Sequence, residues 1–445
     1  LRISDLKISI SGIRGIVGES LTPQLIIKFS EAFSTYIGGG KIAVGSDTRP
    51  SAEMVKNAVL AGLLSCGAMP LDLGILPIPS LQIFTREKNL DGAISITASH
   101  NPVEWNALKL IRKGGHFLYP WEAEELLDVY YQGRFRRVDK PENIEREQDP
   151  FAVHVKKIRG LADTDLIQQK KISVVVDPCG GAASPFVQNF LEQLGAEVLC
   201  INCDLTDGFP RNPEPIPENI DDLCQAVKKY QADIGFAQDA DADRLAAVDE
   251  RGIPIGEEYT LALAVDYYLM QKGKSPVVVN LSTSKVIEDI ARKAGVKLFR
   301  SKVGEINVAR KMLETGSKIG GEGNGGIIVS DVHTCRDSFS GMALLVEYLA
   351  RSGKKLSELR AELPDYFMIK YKIKASFKEA RSILKRINQK FEVGDIQHLD
   401  GLRVDYPDFW LHVRPSNTEP VVRIQVEGKT EESARQAFEQ IMEEI

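Results

Sequence analysis

Cysteine is scarce, with six in 445 residues, and a chain this long is not held by a disulfide framework of that size. One pair, Cys200 and Cys203, has CxxC spacing. No second pair completes a zinc site and no redox loop precedes it, so the spacing reads as chance placement beside a strand end. Long apolar runs are missing as well. No stretch of 18 residues is apolar enough for a membrane helix, and the first five residues have no signal-peptide profile. The expectations are a cytoplasmic protein and no membrane partner. Positive charge is in deficit: 56 Lys and Arg against 62 Asp and Glu leave a net charge of −6. No general field would draw in a polyanion, so nucleic acid is not an expected partner. A small phosphorylated ligand is still allowed, because a few arginines gathered locally are enough to hold it. No short-period repeat is present.

What is there is the composition of a globular protein, 43% hydrophobic and 27% charged. The length implies three or four domains. From residue 41 to about residue 363, short β-branched runs alternate with segments of helical period. Strands are expected at 41–44 and 93–96 around a helix at 52–64. The pattern returns as strand 171–176, helix 186–194 and strand 197–201, and again as strand 276–279, helix 285–294 and strand 296–299. Such alternation predicts parallel sheets covered on both faces. The tail reads differently: a strand at 371–375, a basic amphipathic helix at 377–390, two strands at 410–413 and 421–426, and a last helix at 431–445. The expected fold is therefore α/β, with three consecutive α/β domains of mixed, mostly parallel sheets and a C-terminal α+β domain. Polar or hairpin-like stretches near 139–149, 249–256 and 363–368 place the divisions at 1–149, 150–250, 251–366 and 367–445.

Four loops carry candidate chemistry. Residues 92–96 form an apolar run that ends in Thr97, Ala98, Ser99, His100, Asn101 and Pro102, a polar cluster at the carboxyl end of a strand, where open α/β sheets bind ligands. Pro102 keeps Asn101 out of helical geometry, and Ser99 could project into a crevice. A bend supplied by Ser, Asn and Pro is the simpler reading of such a hexapeptide taken alone. A serine-hydrolase site is not expected, since His100 adjoins Ser99 in sequence and no G-x-S-x-G elbow surrounds it. In the second loop, Asp239, Asp241 and Asp243 alternate ahead of Arg244. Three carboxylates so close repel one another unless a cation lies among them, and oxygen-only ligands favour magnesium or calcium over zinc. Apolar flanks on both sides predict a strand-to-strand position. Glu250 stands twelfth from Asp239, as in an EF-hand, but Arg244 occupies the position that needs glycine, and the flanks are not helical.

The third loop, residues 320–326, holds five glycines with Glu322 and Asn324 between them. It follows an expected short strand at 317–319. Glycine allows close backbone approach, and two polar residues in alternation could face one ligand; a flexible hairpin is the equal alternative. The sequence is neither a Rossmann fingerprint nor a P-loop. In the fourth, Arg414, Ser416, Asn417 and Thr418 lie between two strands, with Arg423 following. A guanidinium fork, hydroxyls and an amide make a phosphate cradle, against the alternative of a surface turn.

Together these loops resemble the signatures of the α-D-phosphohexomutase family, in its usual order and nearly end to end: T-A-S-H-N-P at 97–102, D-x-D-x-D-R at 239–244, a G-E sugar loop at 321–326 and R-P-S-N-T-E-P at 414–420. Ser11, Gly12, Ile13, Arg14 and Gly15 match the family's amino-terminal S-G-I-R-G, and Asn106 and Lys109 its N-x-x-K. The resemblance implies four domains around a central cleft, each giving one loop, and a phosphohexomutase that interconverts hexose 6-phosphate and hexose 1-phosphate. It implies that Ser99 carries the transferable phosphate and that Asp239, Asp241 and Asp243 bind Mg²⁺ together with it. Arg14, Arg244 and Lys109 would stabilise charge, with His100 and Lys109 as acid–base candidates. Glu322 and Asn324 would hold sugar hydroxyls, while Arg414, Ser416, Asn417, Thr418 and Arg423 would grip the phosphate that is not reacting. A hexose 1,6-bisphosphate would be both intermediate and activator, and a sugar phosphate the small-molecule partner; monomer and homo-oligomer stay equally open.

The sequence departs from common family forms at Ala240, where glycine is frequent and the turn survives if φ is negative; at Ser46, where G-R-D is common; at Gly326, a position often histidine; and at Val303, Gly304 and Glu305, where mannose- and glucose-type enzymes tend to have T-G-H. The forms around 106–110, 303–305 and 320–326 are most similar to a subgroup usually assigned as phosphoglucosamine mutases. Phosphomannomutase or phosphoglucomutase is the alternative, followed by a Mg²⁺-dependent sugar phosphatase and a non-catalytic sugar-phosphate sensor.

Overall fold

The protein is described by a computed structural model that covers residues 6–9, 12–205, 208–416 and 421–445, with the side chains of Ser9 and Phe377 set aside. Its strands form four sheets in chain order. The first has seven strands. Gly92–Ile96 lies between the parallel Gly40–Ser46 and the antiparallel Trp105–Arg112. In the second, Ile234–Gln238 runs parallel to Ser173–Asp177 and antiparallel to Leu245–Asp249. The third pairs Val277–Asn280 in parallel with Ile319–Glu322, which turns back as the hairpin partner of Gly326–Val329. The fourth sheet is antiparallel throughout its five strands. Three α/β domains and a C-terminal domain are thus the fold expected from the alternation of apolar runs.

Apolar packing explains why the first three domains sit as they do. One continuous core takes in Leu81 and Phe84 of the first, Phe190 and Phe236 of the second, and Leu261 and Phe339 of the third. Helices Ile78–Glu87 and Ser338–Ser352 are buried nearly all round, as a helix wedged between domains must be. The C-terminal domain has its own core around Leu411, Val413 and Ile424. Its contacts with the third domain are polar: Ser282 Oγ to His412 Nδ1 at 2.8 Å, Lys285 N to Glu427 Oε2 at 2.8 Å, and Val303 N to Asp400 Oδ2 at 3.0 Å.

Some expectations shift. The strand read at 171–176 is Ser173–Asp177, because helix Thr164–Lys170 ends with Lys171 in the left-handed region. The strand read at 296–299 is Leu298–Ser301, and the one read at 317–319 is Ile319–Glu322. Two short strands, Asp395–Gln397 and Leu402–Asp405, escape the sequence reading because the first has only three residues and their segment is largely polar. Cys200 and Cys203 lie close in space as well as in sequence: with Asn202 at φ 54°, their Cα atoms stand 6.1 Å apart, within reach of a disulfide. The other four cysteines are free.

Candidate active site

The strand Gly92–Ile96 is buried along its whole length, so the residues that follow it inherit a fixed starting point. Thr97 Oγ1 donates to Asp47 Oδ2 at 2.7 Å and accepts from Ser99 N at 2.9 Å. Ser99 is held at φ 52°, a left-handed conformation that costs a non-glycine residue about 1–2 kcal/mol. Arg49 holds it there. Its guanidinium donates to Asp47 Oδ2 at 2.9 Å and to four carbonyls: Ser99 at 2.6 Å, Asn101 at 2.8 Å, Pro102 at 2.5 Å and Trp105 at 3.0 Å. All five N–H donors of an arginine are thereby used, with Arg49 only 2% exposed. Arg14 Nη1 donates to Asn101 Oδ1 at 2.6 Å on the outer side of the loop.

Ser99 Oγ donates to Asp239 Oδ2 at 2.8 Å, and His100 Nδ1 lies 3.4 Å from the same hydroxyl. Burial, reinforced by Arg244 and Arg14, draws the His100 imidazole well below its usual range, so it is neutral at physiological pH. Asp239, Asp241 and Asp243 sit in the turn between Ile234–Gln238 and Leu245–Asp249, the strand-to-strand place expected of them. All three are buried, with one oxygen of each within 4.8 Å of the others. Ala242 takes the left-handed position of the turn at φ 58°, and Ala240 is not among the residues of positive φ, so alanine at 240 keeps the turn.

Asp239 is tied on both oxygens, Asp241 and Asp243 on one each. Asp239 Oδ1 accepts from the backbone N–H groups of Asp243 and Arg244 at 3.1 Å each. Lys109 Nζ meets Asp241 Oδ2 at 2.6 Å, and Arg336 Nη2 donates to Asp243 Oδ2. Arg244 Nε stands 3.9 Å from Asp239 Oδ2 and 4.0 Å from Asp243 Oδ1. Asp241 Oδ1 and Asp243 Oδ1 are buried without a hydrogen-bond partner among the described residues. Burial and the two neighbouring carboxylates push Asp239 well above the carboxylate range; at Asp241 burial acts the same way, but Lys109 overcomes it and holds the group below. Two buried, unpartnered carboxylate oxygens in a cluster with one oxygen of each aspartate within 4.8 Å of the others fit a small hard dication.

In the third domain the glycine-rich loop joins Ile319–Glu322 to Gly326–Val329. Glu322 is 2% exposed. Its Oε1 accepts from Asn280 Nδ2 and Gly304 N, both at 2.7 Å, and its Oε2 from Arg336 Nη1 at 3.0 Å. Asn324 lies in the turn, its Oδ1 accepting from Gly326 N at 3.3 Å, so the alternation read from an extended segment does not apply. Arg414 and Arg423 are directly opposite each other on paired strands, which puts their side chains on the same face. Burial, with Arg423 alongside, draws Arg414 below its usual value, while Asp400 and Glu322 act in the opposite sense. Two guanidiniums on one face are the donor type that suits an anion.

Sequence profiles of phosphoglucomutase/phosphomannomutase match the chain in four consecutive pieces: α/β/α domain I at 6–137, domain II at 150–252, domain III at 256–367, and the C-terminal domain at 368–444. A phosphoglucomutase/phosphomannomutase of Thermococcus kodakarensis is 39% identical and covers 96% of each chain. The chain belongs to the phosphoglucomutase/phosphomannomutase family. This phosphohexomutase, an isomerase-class phosphotransferase, is also 36% identical to a Methanopyrus kandleri protein named probable phosphoglucosamine mutase, over 97% of this chain and 96% of that one. A crystal structure of a phosphoglucomutase/phosphomannomutase family protein from Burkholderia thailandensis superposes with a TM-score of 0.86 at 26% identity, over 98% of this chain and 97% of that one.

The mutase fold thus brings together Ser99, His100, Lys109, Arg244 and the three aspartates, with Arg14 one contact away through Asn101. Asn106 serves the fold next door, donating to Ser51 Oγ at 2.9 Å. Glu322 reaches the group through Arg336, and Ser416 N pairs with Val421 O at 2.8 Å. Ser11, Asn417 and Thr418 lie outside the described residues. Sequence reasoning missed Arg49, although it closes the Gly45, Ser46, Asp47, Thr48, Arg49 run, whose Asp-x-Arg spacing was the available signal. It also missed Arg336, and Arg211, which donates to Asp177 Oδ2 at 2.8 Å and to Gln238 O at 2.7 Å; no local pattern marks either.

One buried carboxylate beside the loop sets a pH dependence. Glu258 packs so closely against Gly323 that a Cβ there would lie 2.2 Å from its oxygens. It accepts from Ser284 N at 3.1 Å and stands 3.4 Å from Lys370 Nζ. Burial raises it from 4.5 to about 7 against the pull of Lys370. The folded form binds this proton more tightly than the unfolded form, so the cost of its charge is absent below the unfolded value and complete above about pH 7. Glu258→Gln should therefore stabilise the protein by about 1–3 kcal/mol at pH 8, with the gain vanishing near pH 4.5. Urea unfolding at the two pH values measures it.

Proposed function

We propose that the enzyme interconverts a hexose 6-phosphate and a hexose 1-phosphate through phospho-Ser99 and a hexose 1,6-bisphosphate, with glucosamine phosphate as its preferred substrate. The observation that carries the reading is the 2.8 Å contact between Ser99 Oγ and Asp239 Oδ2, which joins a constrained nucleophile to a cluster of carboxylates suited to a dication. Mg²⁺ held by Asp239, Asp241 and Asp243 supplies charge neutralisation for a phosphoryl group on Ser99. The chain's own residues do the rest. Arg49 and Asp47 keep the serine loop aimed, Arg14 and Arg244 flank the transferred group, and the acid–base candidates are neutral His100, 3.4 Å from the Ser99 hydroxyl, and Lys109, paired with Asp241. Arg414 and Arg423, with Ser416, Asn417 and Thr418, grip the distal phosphate, while Glu322 and Asn324 border the sugar. The working division of the chain is 1–149, 150–250, 251–366 and 367–445, each unit giving one loop.

The choice of an amino sugar follows from the residues at 303–305 and 320–326 and from the name of the Methanopyrus relative. Glucose or mannose phosphate is the second reading, favoured by the name of the 39% identical Thermococcus relative. Values of kcat/KM for the 6-phosphates of glucosamine, N-acetylglucosamine, glucose and mannose, each with a trace of its 1,6-bisphosphate, test the choice. Glucosamine 6-phosphate should lead, and a higher value for either neutral hexose hands the assignment to the second reading. Release of inorganic phosphate in place of the isomer would make the protein a phosphatase.

Metal removal has an expected outcome too. Chelation should abolish turnover, and Mg²⁺ added at about a hundred times its dissociation constant should stabilise the fold by about 2.7 kcal/mol. Asp241→Asn should lose most of that increment, because one of the two unpartnered oxygens becomes an amide or turns away. Unfolding free energy against Mg²⁺ concentration reads the effect.

A further inference from the structure

We propose that Arg336 is a positioning residue that locks the metal loop to the sugar loop, and that residue 326 is glycine because the stem of Arg336 passes where its side chain would stand. Arg336 closes the strand His333–Arg336, the neighbour of Gly326–Val329. Its guanidinium divides among carboxylates from three segments: Nη2 on Asp243 of the metal loop, Nη1 on Glu322 Oε2 of the sugar loop at 3.0 Å, and Nε on Glu305 Oε2 at 3.2 Å, at the start of the helix Glu305–Thr315. All three carboxylates are buried. An arginine can serve them at once because its donors are fixed in a plane, which a lysine cannot reproduce.

Both ends of this link are constrained on their far sides. Glu322 Oε1 is held by Asn280 and Gly304, and Glu305 Oε1 by Gln82 Nε2 of the first domain at 3.0 Å. With Asp243 Oδ2 taken by Arg336, its Oδ1 is the oxygen left without a partner. The guanidinium therefore decides which way a metal-site carboxylate faces, and does so from the same rigid group that holds the sugar loop. A Cβ added to Gly326 would fall 2.3 Å from Arg336 Cδ and 3.0 Å from its Cγ. That clash cannot be relieved by swinging the side chain away, because its far end is pinned three times. Gly326 and Glu305, two of the places where this chain departs from common family forms, are thus explained by one arginine: the first makes room for it and the second accepts from it.

The inference rests on the reading of 239–243 as the metal site but not on which sugar is isomerised. Its test is Mn²⁺ affinity of the metal-free protein, followed by paramagnetic resonance without sugar, together with kcat and KM. Arg336→Met should weaken Mn²⁺ binding about 10–100-fold, the usual effect of losing a residue that orients a ligand, and should lower kcat. Arg336→Lys should recover only part of either. Arg336→Met leaves buried carboxylates uncompensated and can fail to fold. The decisive variant is then Gly326→Ala, which keeps every charge and displaces only the stem. It should weaken Mn²⁺ binding about tenfold, the low end of that range. Wild-type Mn²⁺ affinity in Arg336→Met, or in the Gly326→Ala protein that retains the guanidinium, overturns the proposal. Absence of mutase activity in the wild-type protein, with these Mn²⁺ losses in the variants, would overturn the functional reading and leave this one standing.

Discussion

Arg49→Met should cost the protein about 3–5 kcal/mol, the range for breaking one side of a buried ion pair, out of a total of about 5–15 kcal/mol for a folded domain. The carboxylate of Asp47 would remain buried without its cation, and burial already pushes that carboxyl above its usual value against the pull of Arg49. Four carbonyls would lose a donor at the same stroke, and a buried acceptor left unmade costs more than the bond contributes when made. The loss falls on the loop that holds Ser99 at φ 52°. Without the fork, that residue relaxes toward an ordinary conformation and its hydroxyl leaves the line to Asp239. Turnover should fall at least about 100-fold, since displacing a reacting group by 1 Å is enough for that. Arg49 also carries the Phe209 ring at 4.9 Å, and its neighbour Thr48 donates to Gly180 O at 2.6 Å. The seam between the first two domains should loosen with it. Arg49→Lys should rescue little, because an ammonium offers three donors from one point where five are needed in a plane. Denaturant midpoints and kcat of both variants measure this, and an Arg49→Met protein with wild-type stability and turnover would show that the loop holds itself.

Ser99→Ala should reduce isomer interconversion by about 10⁴-fold or more, as removal of a covalent nucleophile does, while costing no more than about 2 kcal/mol of stability through the lost bond to Asp239. Alanine meets the same strain as serine at positive φ, so the loop keeps its shape. Intact mass should reveal a phosphoryl group on a fraction of the wild-type protein and none on the variant. Binding of the sugar phosphate should persist in the variant, because the residues assigned to the sugar and the distal phosphate are untouched. Those outcomes separate the mutase from its rivals. A sensor would show no phosphate on Ser99 in either protein and no loss of function on replacing it. A metal-dependent phosphatase that used water directly would keep releasing phosphate after the serine was gone.

Much of this protein was legible in its residues. The alternation of β-branched runs and helical periods foretold three α/β units and a different tail, because hydrophobic spacing is a local property that survives whatever packs against it. The helix Phe377–Lys390 matches its sequence reading to the residue, its Ser376 cap and Glu379 forming a capping box. The chemistry of the loops was legible for the same reason: a run of alternating aspartates or an Arg-Pro-Ser-Asn sequence states its donors and acceptors outright. Tertiary structure alone decided which of these groups meet. Ser99 and Asp239 are separated by 140 positions in the chain, and Arg336 and Asp243 by 93; the packing of separate sheets on one core, not any spacing, brings them together. The same packing excludes water, and that is why Asp239 rises, His100 stays neutral and Glu258 titrates near 7. A side chain's identity is written in the sequence, but its partners and its proton depend on what surrounds it, and the surroundings exist only once distant segments have been buried against one another.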